Sequence, residues 1–484
     1  MRRHYPLALL ALLTAGSLAT VSWGNEPEPA AVDFSRDPGW EGFRNRLRPD
    51  RPRVTRQHFG YRPGRKAGGK APGEVGGWVQ RSITPAWYAM SIPVRTLDDR
   101  LTASGRFAVH RDDSSTGTLF GWFNDKASRG WRTPNSLALR IDGNGGKYWV
   151  QFEYCTRHWL SGGKGCYEGE AYQTTKTKPF PADGTPHDWT LTYDPEGNGG
   201  KGVITFVLDG TKYELPLADG HRANGATFNR FGVFNQQSTG DGMEVFFDDL
   251  VLDGKPVGFE QDPKWEAVGN DVEFEDLAVR PLQNFGHSLT AHSGGKMPGE
   301  IGGLIWRDER PAYYADAVGP FTLKDAFRAS GRLAFTGAGS DSGVYVGWFN
   351  SAMKRQTTDV KGDPAQKNYL AVLLEGPSRI GHYFRPAYRA ADGEGVTLDA
   401  GPVIRPDGEV HAWSVEYDPD GASGNGRITV KLDEHIQTLD LRPGHKTSST
   451  TFDRFGIFNH QSGGNYVYLY LDDLSYTRIP PARP

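Results

Sequence analysis

The chain has 484 residues, of which 55 are basic and 58 acidic, and its net charge is −3. No long basic run appears, which argues against nucleic acid as a main partner, because phosphate neutralisation needs a concentrated positive face. The 62 glycines, 32 prolines and 12% aromatic content suit many strands joined by tight turns, and the length suffices for two cores.

At the N-terminus, Arg2 and Arg3 precede an apolar run from Leu7 to Val21, and Asn25-Glu-Pro-Glu-Pro-Ala30 follows as a polar spacer. This layout predicts a secretory signal peptide over residues 1–24, since the run is too short and wrongly flanked for a spanning helix. A secreted or periplasmic protein without membrane insertion is expected.

Beyond the spacer one unit occurs twice. Phe34-Ser-Arg-Asp-Pro-Gly-Trp-Glu41 opens the first copy and Phe259-Glu-Gln-Asp-Pro-Lys-Trp-Glu266 the second. Pro72-Gly-Glu-Val-Gly-Gly77 recurs as Pro298-Gly-Glu-Ile-Gly-Gly303, and Gly121-Trp-Phe-Asn124 as Gly347-Trp-Phe-Asn350, both at an offset of 226. So long a period is a duplicated domain rather than a solenoid repeat. The predicted domains are residues 32–257 and 258–478.

Within each copy the pattern alternates with period two. Asn135–Asp142 and Lys147–Tyr154 flank Gly143-Asn-Gly-Gly146 and predict a long hairpin. Val203–Leu208 runs into an Asp-Gly turn, Arg427–Leu432 is its counterpart, and Glu244–Leu252 and Tyr468–Tyr476 close the copies as strands. No amphipathic helix longer than about two turns is evident. Regularly spaced strands of this kind imply an all-β fold of two-sheet antiparallel sandwiches.

Three features carry a resemblance: the opening Phe-x-x-Asp-Pro-x-Trp, a middle His-x-Trp followed by Tyr-Asp-Pro, and a final Asp-Asp-Leu strand. The middle set is His187-Asp-Trp189 with Tyr193-Asp-Pro195, and His411-Ala-Trp413 with Tyr417-Asp-Pro419. The chain resembles the concanavalin A-like lectin/glucanase superfamily, whose jelly roll laminin-G-like modules share. The resemblance implies two tandem antiparallel jelly-roll β-sandwiches. It also implies a structural Ca²⁺ shared between a last-strand aspartate and the acidic start of a domain: Asp248 or Asp249 with Asp33 or Asp37, and Asp472 or Asp473 with Glu260 or Asp262. Hard oxygen ligands on a rigid strand suit that ion. Turn and capping hydrogen bonds are the plainer reading of the same aspartates.

The fold does not deliver the function, since the superfamily holds lectins, glycosidases, polysaccharide lyases and adhesion modules. Glu-x-Asp-x-Glu and Gln-x-His signatures are absent, and Glu168-Gly-Glu170 reads as a solvated loop pair, so no catalytic residue is assigned. The ligand-binding candidates are Trp149, Glu153, Arg157, His158 and Trp159, an aromatic platform with a cation and an anion beside it. The only cysteines, Cys155 and Cys166, bracket the Arg157–Trp159 stretch and are expected to form a disulfide in an exported chain. The second copy offers His382, Arg385 and Tyr388 but no cysteine. Residues common to both copies, such as Trp122 and Trp348, His187 and His411, and Arg230 and Arg454, are assigned to the shared framework. The leading expectation is a lectin-like protein that engages extracellular or envelope polysaccharide. The alternatives are a polysaccharide lyase or glycoside hydrolase with its site in the first domain, and a structural surface protein.

Overall fold

The computed structural model describes residues 27–48, 53–166, 179–276, 282–352, 366–376 and 381–479. The predicted signal segment, Glu168 and Glu170 lie outside these residues. Among the described residues no helix is long and apolar enough to cross a membrane.

Two β-sandwiches account for the chain. In the first, an eight-stranded sheet runs Ser161–Gly165, Lys147–Cys155, Ser136–Gly143, Thr116–Phe123, Thr227–Asn235, Trp87–Thr96, Glu266–Val268, with Phe180–Pro181 added beside Lys147–Cys155. It faces a nine-stranded sheet centred on Pro186–Asp194, Leu101–Asp112, Gly242–Leu252 and Glu74–Gln80. The second sandwich repeats this with two eight-stranded sheets, centred on Tyr466–Arg478 and Phe327–Ala338 in one and on Thr451–Asn459 and Ser342–Phe349 in the other. Every ladder between strands is antiparallel, and the jelly-roll class expected from the sequence holds.

The local chemistry is that of half-buried strands. Val203–Leu208 alternates half-buried and buried residues, and its turn places Asp209 and Gly210 at φ 48° and 82°, the pair of left-handed conformations that a tight hairpin needs. Inward residues pack as one aromatic-rich core per sandwich. Phe107, Phe120, Trp122, Trp189, Phe231 and Phe247 lie in the first, and Phe327, Trp348, Trp413, Phe452 and Phe455 in the second. The framework assignments hold: His187 Nδ1 lies 2.6 Å from Asp209, His411 Nδ1 lies 2.7 Å from Asp433, and Arg230 pairs with Asp125 at 2.9 Å.

The opening segment of each copy is exchanged. Glu28–Val32 pairs with the final strand Tyr466–Arg478, Glu41–Phe43 pairs with Tyr313–Thr322, and Phe34 and Trp40 are buried in the second core. Reciprocally, Phe259 and Trp265 pack in or against the first core, while Glu266–Val268 and Asp271–Asp276 join the first sandwich's two sheets. The folded units are therefore residues 53–276, and 28–47 with 282–479, in place of the predicted 32–257 and 258–478. The physical reason is that the motif fits the rim of either copy equally well: Asp37 Oδ1 accepts from Tyr314 at 3.1 Å just as Asp262 Oδ1 accepts from Tyr88 at 3.0 Å. Residues 28–43 and the strand Tyr466–Arg478 are thereby held in one sandwich.

Candidate functional site

Strand Lys147–Cys155 sends Tyr148, Val150, Phe152 and Tyr154 into the core, so Trp149, Gln151, Glu153 and Cys155 point to the outer face. There Glu153 joins a buried ionic network. Its Oε2 accepts from Arg132 Nη1 at 2.7 Å and from Arg140 Nη1 at 2.8 Å, while Arg140 Nε donates to Asp142 Oδ1 at 2.9 Å. Arg132 comes from the 124–135 loop, which Gln237 ties down through Gly130 N at 2.7 Å and Ser128 O at 2.9 Å. Burial lowers the Arg132 pKa, whereas the adjoining Asp142 and Glu153 hold Arg140 above its ordinary value. Two guanidiniums and two carboxylates balance one another, so this part of the face is a framework. Breaking one partner of such a buried set costs about 3–5 kcal/mol.

The five predicted ligand residues are not brought together. Trp149 is half-buried beside Asp142, and Glu153 is 7% exposed inside the network. Arg157 and His158 are exposed on a turn closed by Thr156 N to Leu160 O at 2.9 Å, and Arg157 lines a rim cleft of about 580 Å³ with Asn224 and Lys201. Trp159, at φ 64° and 8% exposed, packs on Gly130, where a methyl group would come within 2.4 Å of its ring. In the second copy Arg385 donates to the Leu398 and Asp399 carbonyls at 2.8 Å, and Tyr388 is a core residue whose hydroxyl lies 2.9 Å from His445.

The expected disulfide is also corrected: Cys155 and Cys166 are both free and buried. Cys166 N donates to Val150 O at 2.9 Å, five residues along the strand from Cys155. That is about 16 Å at ~3.3 Å per residue, whereas a disulfide needs Cα atoms within about 7 Å. Cys166 belongs to the core and Cys155 to the opposite face. Burial pushes both thiols well above their ordinary range.

A more accessible constellation lies on the outer face of the nine-stranded sheet of the first sandwich. A groove of about 590 Å³ is lined by His58, Arg62, Lys66, Trp78, Arg111 and Phe246 among others. Trp78 is half-buried, with the Arg111 guanidinium 4.9 Å over its ring, and Lys66 Nζ sits 4.8 Å over Phe246 while donating to Glu244 at 2.6 Å. An aromatic face flanked by cations is suited to a sugar ring carrying hydroxyl or acidic substituents. Strand register places Leu304 where Trp78 stands and Gly337 where Arg111 stands. Leu304 belongs to an apolar cluster against which Ile83 of the first sandwich packs, so the Trp78–Arg111 pair has no counterpart in the second sandwich. Sequence reasoning misses Trp78 because it follows the difference between the copies to the cysteine-bracketed stretch; the signal is a Trp-to-Leu change directly after the shared Pro-Gly-Glu-x-Gly-Gly motif.

A smaller cleft of about 360 Å³ adjoins, on the far side of the turn after Leu101–Asp112, lined by Arg81, Ser114, Ser115, Thr116, Arg140, Asp142 and Asn144 among others. Arg81 Nε and Nη2 donate to Ser238 Oγ at 3.0 and 2.5 Å, and its exposed Nη1 reaches Ser115 Oγ at 3.2 Å.

The Asp-Asp pairs end in the same way in both copies. Asp249 and Asp473 adopt φ 51° and 48°, which turns the strand at each pair. Asp248 Oδ2 and Asp472 Oδ2 are buried without a hydrogen-bond partner. Burial pushes both carboxyls up to about 6, with Glu74, Glu260 and Asp249 adding to the effect at Asp248, and Glu300, Asp33 and Asp473 at Asp472. Because the openings are exchanged, Asp248 faces Glu260 and Asp472 faces Asp33, the reverse of the expected pairing. Orphaned carboxylate oxygens among like charges suit a hard cation. Among the described residues, no three His, Cys, Asp or Glu side chains are gathered to hold one without main-chain oxygens.

No family model matches the chain, and no curated protein matches it in sequence. Solved structures do. Domains LG4-5 of the mouse laminin alpha1 chain are similar over 85% of this chain and 92% of theirs, at 12% identity and a TM-score of 0.24. A Lotus tetragonolobus seed lectin is similar over 36% of this chain and 84% of its own, at 11% identity and a TM-score of 0.25. An alginate lyase is similar over 37% and 74%, at 13% identity and a TM-score of 0.22. The antiparallel β-sandwich architecture itself rests on the strand pairing described above.

Proposed function

We propose that this protein is an exported carbohydrate-binding protein that engages extracellular or cell-envelope polysaccharide through its first sandwich. The observation that supports the reading is the groove lined by His58, Arg62, Lys66, Trp78 and Arg111, in which a half-buried tryptophan is flanked by cations. Tryptophan and arginine are the residue types that most often anchor binding. The buried carboxylates Asp142 and Glu153, on the outer face of the other sheet, are saturated by arginine, which speaks against their acting in proton transfer. Retention of the purified protein on a panel of neutral and acidic polysaccharides tests the reading. Saturable retention without new reducing ends or unsaturated products is expected; products would point to an enzyme, and neither retention nor products to a structural protein.

A structural Ca²⁺ at each strand-end aspartate pair belongs to the same proposal. Asp248 and Asp472 would each offer the ion an otherwise orphaned oxygen, while Asp249 Oδ1 accepts from Lys70 N at 3.2 Å and serves the turn.

A further inference from the structure

The duplication supplies an internal control for the cleft beside the groove. Arg81 and Arg307 occupy the same place in the two sandwiches and rest on the same serine: Arg307 Nε and Nη2 donate to Ser462 Oγ at 3.0 and 2.7 Å, as Arg81 does to Ser238. They differ at Nη1. In the second sandwich that nitrogen donates to Asp341 Oδ1 at 2.7 Å and lies 3.4 Å from Glu375. In the first, Ser115 stands at the position of Asp341 and offers only its hydroxyl and carbonyl, at 3.2 and 3.3 Å. The counterpart of Glu375 is Asp142, and Arg140 holds both of its oxygens, Oδ1 at 2.9 Å and Oδ2 at 2.9 Å. Leu373 takes the place of Arg140 in the second sandwich, and there Glu375 is shared between Arg307, on Oε1, and Arg385, on Oε2.

Among the described residues Arg81 is thus a guanidinium with no carboxylate in pairing distance, its Nη1 open to a cleft whose other walls carry hydroxyls, an amide and the mutually paired Arg140 and Asp142. Burial lowers its pKa to about 10, so it stays charged at neutral pH. The nearby acid Asp241 is already paired with Arg53. We infer that this cleft binds a carboxylate of an acidic glycan, a uronate group seated against Arg81 Nη1 where Asp341 sits in the second sandwich. Ser114, Ser115 and Asn144 would meet ring hydroxyls. The inference rests on the polysaccharide reading and narrows it to uronate-containing chains. The turn between this cleft and the Trp78 groove carries Arg111 on the groove side and Ser114 to Thr116 on the cleft side.

The decisive variant is Ser115→Asp, which installs the second sandwich's own counter-ion. Ser115 and Asp341 share the left-handed backbone, at φ 58° and 49°, and aspartate tolerates it. Full-length wild type and S115D are compared for binding to an oligogalacturonate, a neutral oligosaccharide and dextran sulfate. S115D is expected to lose roughly tenfold to a hundredfold in oligogalacturonate affinity, the range of a charge-assisted hydrogen bond, with an unfolding temperature equal to or above wild type. Arg81→Gln should lose as much. Equal binding of oligogalacturonate by wild type and S115D overturns the inference, as does dextran sulfate displacing it as well as polygalacturonate does. Retention on neutral polysaccharide alone also overturns it but leaves the broader reading standing, whereas retention on nothing removes both.

Discussion

At the residue scale, function separates from framework by comparing the two copies at equal register. Trp78 and Leu304 occupy the same strand position, one half-buried under Arg111 and the other buried in an apolar cluster. Trp78→Ala should lower polysaccharide retention by about tenfold or more, as loss of a central aromatic anchor does, while Leu304→Ala leaves retention unchanged; affinity chromatography of both variants checks this. Asp112 gives a second test. Its burial pushes the carboxyl up to about 6, against the hydrogen bonds from Thr116 and Gly146 N that favour the charged form. The unfolded chain releases that proton near pH 4 and the folded one only near pH 6, so stability falls as pH rises through this window. The gap in unfolding temperature between Asp112→Asn and wild type should therefore grow in the variant's favour from pH 4 to above pH 6. A gap independent of pH would contradict it. The core alternation of Tyr148, Phe152 and Tyr154 was legible from period two alone, and so was the outward direction of Trp149 and Glu153. What the sequence did not disclose was that the outer face is itself buried, because a loop that covers a sheet has no periodic signature.

At the element scale, strands were legible and their partners were not. The motif around Phe34 and Trp40 reads as the start of its own copy, yet it closes the other one. Both docking rims carry the same groups, an aromatic core position, a tyrosine for Asp37 or Asp262, and an arginine for Glu41 or Glu266. Only chain connectivity decides between them, and connectivity through residues 48–53 and 276–282 is not encoded in a pattern of apolar residues. Phe34 is fully buried, so Phe34→Ala should destabilise the second sandwich by about 3–5 kcal/mol. The first sandwich should be spared. Two resolved calorimetric transitions, with only one displaced, would show this; equal displacement of both would contradict the exchange.

At the scale of the whole molecule, duplication has yielded one sandwich with open charged clefts and one whose equivalent positions are already occupied. Arg307 meets Asp341 and Glu375, and Leu304 lies in an apolar cluster against which Ile83 of the first sandwich packs. Metal should act on both alike, since both strand-end pairs carry the same orphaned aspartate oxygen. Millimolar Ca²⁺ should raise the unfolding temperature of each sandwich relative to excess chelator, by mass action on the folded state. Unchanged melting would remove the metal proposal. The central claim is that the first sandwich, as closed by the second copy's opening segment, is a self-sufficient glycan-binding unit. The most direct measurement is polysaccharide retention by residues 53–276 alone beside the full chain. A folded fragment that retains polysaccharide about as strongly as the whole protein is expected; a folded fragment without retention, or one that cannot fold without residues 28–47, would show that the first sandwich is not self-sufficient.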